Sequence, residues 1–113
     1  MNTMKKPGSE RVYDRYDCCF SISCARLNST QYIQGRMMNY SRNGLYFESR
    51  SAPPLGATVL IRVQKNLAGD TACEIKEGFR SLALGEVKWC EEFISEGASY
   101  YGVGVKYYLP DYG

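Results

Sequence analysis

A small all-β domain, closed as an antiparallel barrel, is the fold this sequence predicts. Three observations carry that expectation. Apolar residues alternate with polar ones at period two along most of the chain, and no helical stripe of three-to-four spacing is sustained. About six such short runs follow one another, joined by polar turn chemistry, which is the pattern of a small barrel. Gly102 and Gly104 flank Val103 inside the last run, where glycine weakens a strand unless the barrel bends or another group approaches the backbone closely.

The elements follow in order. Tyr16, Cys18, Phe20, Ile22 and Cys24 alternate with Asp17, Cys19, Ser21, Ser23 and Ala25, so a first strand with one face inward spans about residues 16–27. Asn28-Ser29-Thr30 is turn chemistry, and Gln31 to Met38 resumes the extended pattern through Ile33, Gly35 and Met37, completing a hairpin. Leu45 and Phe47 alternate with Tyr46 and Glu48 in a third strand. The proline-containing loop Ser51 to Gly56 leads into a fourth, Thr58 to Val63. Residues 64–81 read as either a long loop or a short helix, with Glu74, Lys76 and Glu77 solvated. Leu82 to Glu91, with Leu82, Leu84, Val87 and Trp89 apolar, and Tyr101 to Tyr108, with Val103, Val105 and Tyr107, complete the set.

Composition narrows the function. With 113 residues, 44% apolar and 23% charged, the chain supports one core and little room for a deep catalytic cavity. Histidine is absent, which removes Ser-His-Asp and Cys-His catalysis and His-ligated zinc, so an enzyme is not expected. No stretch approaches the roughly 18–20 apolar residues of a membrane span. Met1 to Ser9 has no apolar stretch of the signal-peptide kind, so the expected compartment is the cytoplasm. Five cysteines, an odd count without a C-x-x-C pair, fit neither a disulfide framework nor a zinc site and read as reduced, mostly core-filling thiols. Residues 1–50 hold eight Lys and Arg against four acids, net +4, while residues 51–113 hold six against eight, net −2. The basic half invites an anion.

Two motifs in that half could meet one. Arg11 and Arg15 precede the first strand, and Asn39-Tyr40-Ser41-Arg42-Asn43-Gly44 closes the second. A hairpin folded at Asn28 to Thr30 sets residues whose numbers sum to about 58 opposite one another, so that Cys19 faces Asn39 and Tyr16 approaches Arg42. Arg15 and the Asn39–Ser41 pair then share one end of the hairpin. Two guanidiniums offer planar forks for phosphate oxygens and flat faces for stacking. Asn39 can both donate to and accept from a base edge, Ser41 supplies a hydroxyl, and Gly44 leaves the backbone open to a ligand or a turn. Arg42 can add a phosphate contact, and Trp89 reads as barrel core with an edge near the site. Neither motif is specific alone; their order across one hairpin describes a nucleotide phosphodiester site. The plain alternatives are a solvated charged tail for the arginines and turn capping for Asn39 and Ser41.

These residues resemble the PilZ domain, a bacterial receptor for the second messenger cyclic di-GMP. The likeness covers about residues 10–108: Arg11 and Arg15, the run Gly35 to Glu48, Leu55-Gly56-Ala57-Thr58-Val59, Gly85-Glu86-Val87-Lys88-Trp89 and Tyr101 to Tyr107. It implies a six-stranded antiparallel β-barrel over residues 10–108 and a flexible arm with a tail at residues 1–9, while the short tail at 109–113 departs from the many members that carry a C-terminal helix, leaving little or none expected here. It implies that Arg11 and Arg15 clamp ligand phosphates and stack on guanine while Asn39, Ser41 and Gly44 line the guanine end. Binding would order the arm over the barrel mouth and change a surface rather than drive a reaction, with no cofactor beyond the ligand cyclic di-GMP. Glu10 stands where many members place another basic residue, and Asn39 where an acid is commoner. A protein partner downstream is expected, with that partner or a second copy in a homodimer covering the open barrel end. Two rival readings are a barrel of the same kind that binds no nucleotide and acts by protein contact, and, less favoured, a binder of single-stranded nucleic acid.

Overall fold

The structure, a computed structural model, describes residues 14–66 and 76–108. Arg11, Cys73, Glu74 and the expected tails at 1–9 and 109–113 lie outside the described residues. Six strands follow one another: β1 (Tyr16–Arg26), β2 (Tyr32–Ser41), β3 (Gly44–Ser49), β4 (Thr58–Asn66), β5 (Leu82–Ser95) and β6 (Ala98–Tyr107). They close in the order β1-β2-β3-β6-β5-β4, every pair antiparallel, with β1 bonded to β4 to complete the ring. The predicted barrel is therefore the observed fold.

Alternation fills the interior. Phe20, Ile22 and Cys24 from β1, Met37 and Tyr40 from β2, Phe47 from β3, Val59 and Ile61 from β4, and Val103 and Val105 from β6 are buried in one core. Cys24 is one of these, and burial pushes its thiol up to about 12. In β5 the core is met by Ala83 and Val87, while Leu82 and Leu84 lie on the outer face at 51% and 40% exposure. The leucines that marked this strand in the sequence thus point away from the core.

The hairpin register differs from the predicted one. Ala25 stands opposite Tyr32 around a tight turn in which Asn28 takes φ 70° and Ser29 N–H donates to the Arg26 carbonyl, which moves the pairing by one residue. Between Asp17 and Phe20 strand β1 carries an extra residue, and the pairing moves by one more. Asn39 accordingly faces Asp17 rather than Cys19, and Tyr16 faces Tyr40 rather than approaching Arg42. Arg15, directly before β1, still reaches the end of the hairpin that carries the Asn39–Gly44 motif.

Strands β5 and β6 run further than the sequence suggested, to a two-residue turn at Glu96-Gly97, where φ values of 52° and 77° supply the left-handed pair such a hairpin requires. The stacked rings of Phe93 and Tyr100, 5.9 Å apart, hold this ribbon together where Glu91 and Glu92 had obscured it. In the segment read as loop or helix, β4 extends to Asn66 and residues 76–81 form a turn and an irregular stretch, with no helix among the described residues.

Candidate functional site

Two bulges build the outer surface at the motif end of the barrel. Met37 and Tyr40 are both buried, so Met38 and Asn39 between them share the outer side of β2, where the pairing with β3 slips by one residue. In β5, Val87 is buried and Cys90 packs on the core, so Lys88 and Trp89 share the outer side at a second slip, against β6. Strict alternation from Val87 would have turned Trp89 inward, as the sequence reading expected; the bulge turns it out, and Trp89 is not part of the core. Bulges beside functional sites commonly re-aim side chains in this way.

The consequence is one continuous row across four strands: Asn39 opposite Tyr46, Tyr46 opposite Gly104, Gly104 opposite Trp89. The Tyr46 and Trp89 rings lie 5.7 Å apart at 47°. They close over a glycine floor: a Cβ at Gly102 would run into the Tyr46 hydroxyl, whereas one at Gly104 would make only ordinary contact, 3.4 Å, with the Trp89 Cβ. Tyr46 donates its hydroxyl to Glu48 Oε2 at 3.3 Å. Burial first, then the charge and hydrogen bond of Glu48 and the charge of Glu91, push its phenol up to about 12. Tyr46 was not among the residues singled out from sequence; its outward place in β3 was legible, but its partnership with Trp89 depended on the bulge.

The β2–β3 turn carries the rest of the motif. Ser41 is buried and donates its Oγ–H to Asn43 Oδ1 at 2.6 Å, while the Asn43 backbone N–H donates to Ser41 Oγ at 3.3 Å. This hydroxyl caps the turn. At Gly44 any Cβ would strike the Val105 carbonyl oxygen, so glycine here is what lets β6 pair with β3. The Arg42 guanidinium meets Glu77 Oε2 at 2.8 Å.

Residues 76–81 cover the same barrel end. Lys76 N–H donates to the buried Tyr40 hydroxyl at 2.9 Å. Phe79 enters between Phe20 and Tyr40, with ring centroids 5.4 and 5.5 Å away. Arg80 lies 4.1 Å over the ring of Tyr107, whose phenol burial pushes up, with Arg80 opposing. Gly78 takes φ 91° and packs so closely that a Cβ would stand 2.8 Å from the Arg42 backbone nitrogen. Sequence reasoning missed this cover; a lone Phe79 in a polar run was its only signal.

Thus the structure brings Asn39 and Trp89 into one outer row and places Ser41, Arg42 and Gly44 at its rim, with half-buried Arg15 at the same end. Such a surface pairs aromatic faces with an amide and guanidinium donors. Among the described residues no group of three or more His, Cys, Asp or Glu side chains gathers as a metal site.

No family model matches the chain, and no curated protein does. Solved structures do. Borreliella burgdorferi PlzA in complex with c-di-GMP superposes with a TM-score of 0.63 at 12% identity, over 92% of this chain and 47% of PlzA. The PilZ domain with c-di-GMP of YcgR from Escherichia coli gives 0.61 at 12% identity, over 87% and 77%. The Bacillus subtilis inhibitor of motility MotI/DgrA gives 0.58 at 13% identity, over 91% and 44%. The chain therefore spans about half the length of PlzA and of MotI/DgrA. Its fold is PilZ-like.

Proposed function

We propose that this chain is a non-catalytic cytoplasmic receptor for cyclic di-GMP that passes the signal to a protein partner. The observation that carries the reading is the outer row in which two bulges set Asn39 and Trp89 on either side of Tyr46, beside the turn that holds Arg42 and the strand start that holds Arg15. In this reading Arg11 and Arg15 clamp the phosphodiester oxygens and stack on guanine. Trp89, with Tyr46, offers a second face for a base, Asn39 reads a base edge, and Arg42 adds a phosphate contact. Ser41 and Gly44 shape the turn beneath them. The arginine arm orders over the barrel end on binding, and the altered surface recruits the partner. Two of the solved neighbours hold c-di-GMP, which supports the choice of ligand.

Calorimetric titration with cyclic di-GMP, with the linear dinucleotide as control, tests this. Micromolar or tighter binding selective for the cyclic form is expected. Arg15→Ala should lose on the order of 2 kcal/mol of it, as removal of a charge-assisted fork costs. Silence from folded wild type would refute the receptor.

One observation favours a second reading, a PilZ-like adaptor without nucleotide. The Ser41 hydroxyl and Gly44 both have structural work in the barrel, capping the turn and admitting β6, and would be retained for it without any ligand.

A further inference from the structure

We infer that Glu77 is a built-in competitor for the guanidinium of Arg42 and so sets how tightly this barrel end takes a phosphate ligand; the inference rests on the receptor reading above. A carboxylate and a phosphate engage a guanidinium through the same planar N–H donors. In this structure the Glu77 carboxylate already engages one of them, at Arg42 Nη1, at 2.8 Å.

Glu77 is not a drifting surface acid. Its neighbours are fixed on both sides: Lys76 by its backbone bond to the Tyr40 hydroxyl, Phe79 by the rings of Phe20 and Tyr40, and Arg80 by its place over Tyr107. Gly78 lies against the backbone of Arg42 at φ 91°, a conformation and a clearance that only glycine meets, and this contact brings Glu77 to the Arg42 side chain. Most exposed ion pairs gain little because two long side chains must be ordered to make them. Here the backbone beneath the acid is already in place.

The two ends of the pair differ in exposure. The Arg42 side chain is 26% exposed and that of Glu77 60%, so the carboxylate can swing into solvent while the guanidinium stays at the rim. An arriving phosphate must then displace Glu77 from Arg42, and that cost falls on ligand binding. Glu77→Gln keeps the size and an acceptor oxygen but removes the charge.

The test is a double-mutant cycle read by calorimetry with cyclic di-GMP: wild type, Glu77→Gln, Arg42→Ala and the double variant, each checked for an unaltered fold by its melting profile. Glu77→Gln should bind about two- to fivefold more tightly than wild type, the span of a solvent-facing ion pair. That gain should vanish in the Arg42→Ala background. Binding by wild type with Glu77→Gln equal or weaker, or a gain that survives loss of Arg42, would overturn the competitor and leave the receptor standing. No binding by any of the four would overturn the receptor and the competitor with it.

Discussion

The ring of Tyr46 stands 5.7 Å from that of Trp89, across a strand that presents only Gly102 and Gly104 beneath them. Gly102, one of the two glycines that weaken β6, is thus a condition for an aromatic shelf on its outer face. A methyl at position 102 would displace the Tyr46 hydroxyl from its site beside Glu48. Gly102→Ala should therefore cost about 1–3 kcal/mol of stability, as overpacking does. Trp89 is the sole tryptophan, so its fluorescence should shift in this variant before any ligand is added, and cyclic di-GMP should quench it in the wild type. An unchanged apo spectrum in Gly102→Ala would show that the shelf does not depend on the glycine.

Gly44 and Asn39 belong to one motif but should fail in different ways. Any side chain at 44 meets the Val105 carbonyl, so Gly44→Ala should lower the melting temperature, at a cost of about 1–3 kcal/mol, whether or not a ligand binds. Asn39 is half-buried on the outer face, and Asn39→Ala should leave stability within about 0.5 kcal/mol while weakening cyclic di-GMP binding. Thermal melts beside titrations separate the two. Loss of stability in Asn39→Ala would make it a turn-capping residue instead.

Much of this architecture was legible because period two is a strong signal. The strand β1 was read almost to the residue, and the glycine pair in β6 announced a close approach that Tyr46 and Trp89 supply. The bulges were not legible. Each adds one residue to one strand only, and alternation counted through Met38 and Lys88 assigns Asn39 and Trp89 to the wrong face. The cover at 76–81 was hidden for a different reason: its contacts with the barrel, through the Lys76 backbone, Glu77, Gly78, Phe79 and Arg80, follow no period. Ser41 and Gly44 were recognised as a motif, yet their bonds and clearances lie within the fold itself.

The Tyr46 phenol should titrate well above an ordinary tyrosine. Its value is pushed up to about 12, from a reference near 10, by burial and by the acids Glu48 and Glu91. A raised folded value means that the neutral form is favoured by the fold. The associated stability is fully present below about pH 10 and is lost as pH rises through the folded value. The difference in phenolate absorbance between wild type and Tyr46→Phe should therefore rise about two pH units late. A midpoint near 10 would place Tyr46 in water rather than in the shelf.

The cover of the barrel end rests on Phe79, and its removal should be felt both in stability and at the site. The ring touches Phe20 and Tyr40, and the segment that carries it also brings Lys76 to the Tyr40 hydroxyl and Glu77 to Arg42. A partly buried phenylalanine truncated to alanine loses apolar burial and leaves a cavity, so Phe79→Ala should cost about 2–3 kcal/mol. Phe79→Leu, which keeps most of the volume, should cost about 1 kcal/mol. If the segment acts as one unit, Phe79→Ala also loosens Glu77 from Arg42, and the gain in cyclic di-GMP affinity expected of Glu77→Gln should shrink in that background. Additive effects of the two changes would mean that Glu77 finds Arg42 without the anchor, and that the ring serves the core alone.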